Sequence, residues 1–169
     1  MLPRMDQFET AIFTRRFCLF NETFAEIGAD KKNIGVLWHE GCAGRKDEEI
    51  ASAYYRFLTS CRDEKEKIIW ADNCTAQNKN WTMFTMLAHM VNSQNISADK
   101  ITMKYFEPGH TFMSADSVHH AIEKEMTKMG KVYDFNDFVE CVENAKCTPQ
   151  TLTHKDLDIW SKSVPSEKS

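Results

Sequence analysis

Asp72 closes the short apolar run Lys67-Ile68-Ile69-Trp70-Ala71 and opens the polar stretch Asn73-Cys74-Thr75-Ala76-Gln77-Asn78-Lys79-Asn80. A carboxylate beside amide oxygens, those of Asn73, Gln77 and Asn78 among them, is the donor set a hard divalent cation prefers. Further along, Glu107-Pro108-Gly109-His110-Thr111 ends a second apolar run, and Asp116 follows. His110 offers an acid–base group, and Asp116 a second carboxylate. Two carboxylates sharing Mg²⁺ or Mn²⁺ would suit phosphoryl displacement, where the ions stabilise attacking and leaving oxygens. Glu40, just after Leu37-Trp38-His39, is a third acidic candidate. Each has a simpler role available. Asp and Asn cap helices for structural reasons, Asp116 stands where a cap belongs, and His110 can bond its own turn. His119 and His120 are adjacent on one helix and cannot face one point together.

These residues need elements to hold them. Phe13 to Ile27 reads as strand, Gly28 to Asn33 as a turn, and Ile34 to Trp38 as a second strand, so an antiparallel pair is expected. Asp47 or Glu48 opens a helix with Ile50, Ala53, Tyr54, Phe57 and Leu58 at helical spacing. The strand ending at Asp72 leads into a helix over Trp81 to Val91, whose methionines read as core. Lys100 to Phe106 is another strand. A helix with Val118, Ala121, Ile122, Met126 and Met129 on one face is stopped by Gly130, and Asp134 caps a shorter one. Alternating strands and helices of this kind predict a three-layer α/β fold with a parallel portion. In such sheets ligands gather beyond the carboxyl ends of strands, which is where Asp72 and the His110–Asp116 loop fall.

Composition narrows the function classes. The 169 residues suit one domain, expected over 1–147, with 148–169 as a weakly structured tail. No apolar run approaches the ~18 residues of a membrane span, and the N-terminus lacks a signal-peptide core. An intracellular place, nuclear or cytoplasmic and not secreted, is expected, with no membrane partner. The six cysteines lack a CxxC pair and read as free thiols. A net charge of −4 argues against autonomous, tight DNA binding.

The segment Trp70 to Asn80, followed by Tyr105-Phe106-Glu107-Pro108-Gly109-His110-Thr111-Phe112-Met113-Ser114-Ala115-Asp116, resembles an uncharacterised ribonuclease-H-like domain of transposon-derived animal proteins, similar to DDE-type transposases. Leu37-Trp38-His39-Glu40-Gly41 with Glu49-Ile50-Ala51-Ser52 is similar to the segment between that family's first motifs. The resemblance implies a mixed sheet with helices on both faces and an acidic edge holding Mg²⁺ or Mn²⁺ for DNA strand cleavage and joining. Asp72 would be the second carboxylate, and Asp116 the third. It also implies a first strand with its own acid upstream of Leu2-Pro3, which this sequence lacks. The expected function is therefore a truncated or inactive remnant of transposase-like nuclease chemistry on DNA. The competing expectation is a domesticated interaction module that kept the fold, lost catalysis, and meets a protein partner at an exposed sheet edge.

Overall fold

The computed structural model describes residues 17–28, 32–107 and 113–160. In chain order its elements are β1 (Leu19–Ala25), β2 (Asn33–His39), α1 (Asp47–Ser60), β3 (Glu66–Ala71), α2 (Trp81–Asn92), β4 (Lys100–Tyr105), α3 (Ser114–Met129), α4 (Phe135–Asn144) and β5 (Cys147–Thr151), with a 3-10 turn at His154–Asp156. The fold is mixed α/β. Its described strands form two sheets, one of three strands in the order β1-β2-β5 and one of two, β3-β4. The chain divides into two compact units.

The first unit contains β1, β2, α3, α4 and β5. β1 and β2 are antiparallel as expected, with Phe20 opposite Trp38 and Glu22 opposite Val36. β5 then runs parallel to β2 from Cys147 opposite Asn33 to Thr151 opposite Leu37. One core forms here from Leu19, Leu37, Val118, Ile122, Phe138, Val142 and Cys147. The periodic faces of α3 and α4 supply four of those residues, so hydrophobic spacing is what docks both helices on the strands. Gly130, at φ 79°, ends α3 in a conformation that disfavours a side chain. Asp134 caps α4 by accepting from the amides of Asn136 and Asp137 at 2.8 and 3.0 Å.

Gly35 sits close to its neighbours, which would have to give by a few tenths of an ångström to admit a Cβ. A Cβ there would stand 3.3 Å from both Asn21 Oδ1 and Cys147 Sγ, and 3.4 Å from Val142 Cγ1.

The second unit contains α1, β3, α2, β4 and the segment from Thr153 to Trp160. β3 and β4 are parallel neighbours, with Trp70 opposite Lys104 and Ala71 opposite Tyr105. Ile50, Ala53, Tyr54 and Leu58 of α1 and Met83, Met86, Leu87 and Met90 of α2 are buried, so the methionine-rich face is core as its spacing suggested.

The tail expected over 148–169 begins inside the sheet, since β5 extends to Thr151. Its five residues include Pro149 and are too short for a period to show. Beyond it, Trp160 is buried at 4% exposure. Its amide donates to Glu48 Oε2 at 2.6 Å and its indole to Ser52 Oγ at 3.0 Å. No described helix is long and apolar enough to cross a membrane.

Candidate functional site

Asp72 is the first residue beyond β3, at the carboxyl end of the parallel pair. Its run of Ile68, Ile69 and Trp70 favours the extended state. The loop that follows is held by its own amides. Asp72 Oδ1 accepts from the Cys74 amide at 3.2 Å, an Asx-type turn, and also from the Asn78 side-chain amide. Asn78 is buried at 5% exposure. Its Oδ1 accepts from the Tyr54 hydroxyl at 3.4 Å, and its carbonyl from the Tyr105 hydroxyl at 2.8 Å. Burial pushes the Tyr105 phenol above its ordinary range. The helix cap belongs to Asn80, which accepts from Met83 N at 2.8 Å and donates to the carbonyls of Ala76 and Gln77 at 3.2 Å each. Asp72 is thus released from capping, and among the described residues its Oδ2 has no hydrogen-bond partner. Asn73 is exposed and Gln77 half-buried.

Asp116 stands in the first turn of α3, exposed, in the other unit. Met113 is the N-cap, and Asp116 Oδ2 accepts from the Met113 amide at 2.8 Å. That back-bond satisfies an amide left orphaned at the helix start. Among the described residues its Oδ1 has no partner. One oxygen of each carboxylate is committed locally, and the other has no partner among the described residues.

Glu40 follows β2 in the turn, where its amide donates to the Cys18 carbonyl at 3.0 Å. Beside it, His39 Nδ1 accepts from the Gly41 amide at 3.1 Å, and Nε2 lies 3.4 Å from Cys42 Sγ. His119 meets Thr23 Oγ1 at 2.9 Å, and His120 Nδ1 lies 3.9 Å from Glu123, so the two serve different neighbours. His110 lies outside the described residues. Among the described residues, no three His, Cys, Asp or Glu side chains come together to hold a metal ion. All six cysteines are free thiols.

Two residues that shape the Asp72 loop, Tyr54 and Tyr105, carried no functional signal in the sequence. Helical spacing marks Tyr54 only as core, and its reach to Asn78 is a long-range contact that no local pattern encodes.

Residues 64–162 match the family described as Domain of unknown function (DUF7869). That span takes in Asp72, Asn73, Gln77, Asn78 and Asp116 and leaves out Glu40. No curated protein and no solved structure matches the chain.

Proposed function

We propose, from the premise that this chain belongs to the DUF7869 family, that it is a nuclease-like domain of the ribonuclease-H-like, DDE-transposase-like kind. In this reading it is a remnant of metal-dependent phosphodiester chemistry on DNA, with a three-layer sheet as its ancestral architecture. The family description names no activity, so the reading rests on the site and on the motif resemblance. The observation that carries it is Asp72, a carboxylate at the carboxyl end of a parallel strand, oriented through Oδ1 while Oδ2 has no partner among the described residues. An oriented oxygen is what a metal ligand needs from its supporting shell.

Asp72 Oδ2 with the amide oxygens of Asn73 and Gln77 would be the donors for one Mg²⁺ or Mn²⁺, while Asp116 Oδ1 is a separate candidate carboxylate in the first unit. The ion would neutralise charge on a phosphodiester, with His110 as the acid–base group. Two doubly charged ions would far outweigh the one carboxylate of this loop, so the donor set suits a single cation and weak activity. That is why we read a remnant. A nuclear site of action goes with DNA as partner.

Calorimetric titration with Mn²⁺ tests this. Binding to the parent should be lost in Asp72→Ala, and Asp116→Ala reads the first unit's carboxylate separately. If Asp72→Ala binds like the parent, the acidic-edge reading fails.

A second reading has its own observation. Among the described strands β3 and β4 pair only with each other, so neither outer edge of that pair has a described partner. Open edges recruit strands from other chains, which favours a protein-interaction module that kept the fold and lost catalysis. Size-exclusion chromatography with light scattering at rising concentration reads it, and a monomer throughout counts against self-pairing.

A further inference from the structure

The outer face of β3–β4 is built unlike a face meant for water. Along β3, Lys67 and Ala71 point inward, while Glu66, Ile68 and Trp70 point out. Ile68 is 55% exposed and Trp70 44%, and they stand opposite Thr102 and Lys104. The Lys104 ammonium lies 5.0 Å from the centre of the Trp70 ring. The Phe106 ring lies 5.2 Å from it, tilted by 36°. At the far end Lys100 is paired with Glu66 at 2.8 Å. Lys104 makes no ion pair among the described residues, so its charge is available.

We propose that this face is a stacking platform for single-stranded DNA. Two adjacent aromatic rings on an exposed sheet face offer what unpaired bases stack upon, and a cation with no ion pair among the described residues meets the phosphate. Charge complementarity selects this occupant over an apolar protein surface. Covering Trp70 with an apolar partner would strip water from the Lys104 ammonium and return nothing to it, whereas a strand of bases and phosphates satisfies ring and ammonium together. Ile68 beside Trp70 suits the thymine methyl. Among the described residues of β4, Thr102 is the one hydroxyl opposite the exposed side chains of β3, so little there would recognise a ribose 2′-OH. The chain's net charge of −4 sets the scale. Binding is weak and sensitive to salt, with a log–log slope of about −0.7 for each phosphate met.

The proposal needs no metal at Asp72, so the test is run in EDTA and is independent of the Mn²⁺ titration. Labelled oligothymidylate is titrated with the full chain at low salt and followed by anisotropy. Saturable binding is expected, weakened about tenfold or more in Trp70→Ala and lost in Lys104→Glu. The control is Trp81→Ala, which removes a tryptophan 79% exposed on α2 and should bind like the parent. Circular dichroism of each variant should match the parent, as expected for exposed positions, and Phe106→Leu supplies a milder second lesion on the same face. Absence of saturable binding overturns the proposal, as does equal weakening by Trp81→Ala. Tighter binding of oligouridylate than of oligothymidylate overturns the assignment to DNA. A parent dimer that Trp70→Ala converts to monomer shows the face to be covered by a second copy, and overturns it too.

Discussion

The unit of β1, β2, β5, α3 and α4 buries Leu19, Leu37, Val118, Ile122, Phe138 and Val142 against one another. The unit of α1, β3, α2 and β4 buries Ser52, Lys67, Asn78 and Thr82 as well as its apolar side chains, and among the described residues no other polar side chain is buried. A buried polar group is costly unless bonded, and each of these four is bonded. Ser52 Oγ donates to the Glu48 carbonyl at 2.9 Å and accepts from Trp160 and from the Asp158 amide. Lys67 reaches the Cys61 carbonyl and Glu64. Thr82 donates to Asp47 at 2.6 Å, and Asn78 ties Asp72 to Tyr54. The difference teaches where geometry is specified. Apolar packing fills the first unit but tolerates repacking, whereas hydrogen bonds in the second fix one loop, the one carrying Asp72, in one conformation.

The contrast can be broken most forcefully in the two cores. Phe138→Ala and Trp160→Ala should each cost about 3–5 kcal/mol in urea denaturation, because both vacate a large buried volume. The conservative changes then separate the units. Phe138→Leu keeps most of its packing, while Trp160→Phe loses the indole bond to Ser52, whose hydroxyl keeps Glu48 and Asp158, and should cost about 0.5–1.5 kcal/mol. If Trp160→Phe is neutral, the polar anchoring of the second unit is not what holds that segment.

Asn78→Ala sharpens the comparison at the loop. Asp72 and Tyr54 would each lose a partner, at about 1–3 kcal/mol, and Mn²⁺ affinity should fall about 10- to 100-fold if Asp72 is a ligand. A stability loss with unchanged Mn²⁺ affinity would leave Asn78 as structure only.

The two units should also fail at opposite ends of the pH scale. Cys147, in the first, has its thiol pushed by burial from 9.0 to about 11. A raised pKa means its contribution is complete below about pH 9 and is lost as pH climbs towards 11. Asp156, in the second, is held below its ordinary value chiefly by the Thr153 hydroxyl, then by the Thr153 amide and Arg56. A lowered pKa means its contribution is present above that ordinary value and is lost as pH falls through the folded one. Denaturation midpoints against pH should show the alkaline loss shrinking in Cys147→Ala and the acid loss shrinking in Asp156→Asn. The reverse pattern would refute the assignment.

The smallest effects belong to the helix caps and the surface. Asn80→Ala and Asp134→Ala should each cost about 1 kcal/mol by removing an N-cap acceptor, one in each unit. Lys100→Ala, which breaks an exposed pair with Glu66, should cost well under about 1 kcal/mol. A larger loss there would mean the outer face of β3–β4 is more ordered than its exposure implies.

Local chemistry made several elements legible before any coordinates. Gly130 stops α3 and Asp134 caps α4 because backbone conformation and capping are decided within a few residues. The antiparallel β1–β2 pair and the helices read correctly for the same reason, since a period of two or of 3.6 is written along the chain. Asp72 at a strand end was legible too, because the apolar run stops there. Asn80's claim on the cap was not, since Asp72, Asn73, Asn78 and Asn80 are all suitable residues and only the turn geometry chooses among them.

What composition and periodicity determined was an α/β chain with these helices, most of these strands and an acidic strand end. Tertiary structure alone decided that Cys147–Thr151 joins β2, that the described strands form two sheets, that Trp160 returns to Glu48 and Ser52, and that Tyr54 and Tyr105 brace Asn78. Each of those is a pairing between residues far apart in sequence. Such pairings are selected by the free energy of burying and bonding both partners at once, and neither partner's neighbours along the chain carry that information.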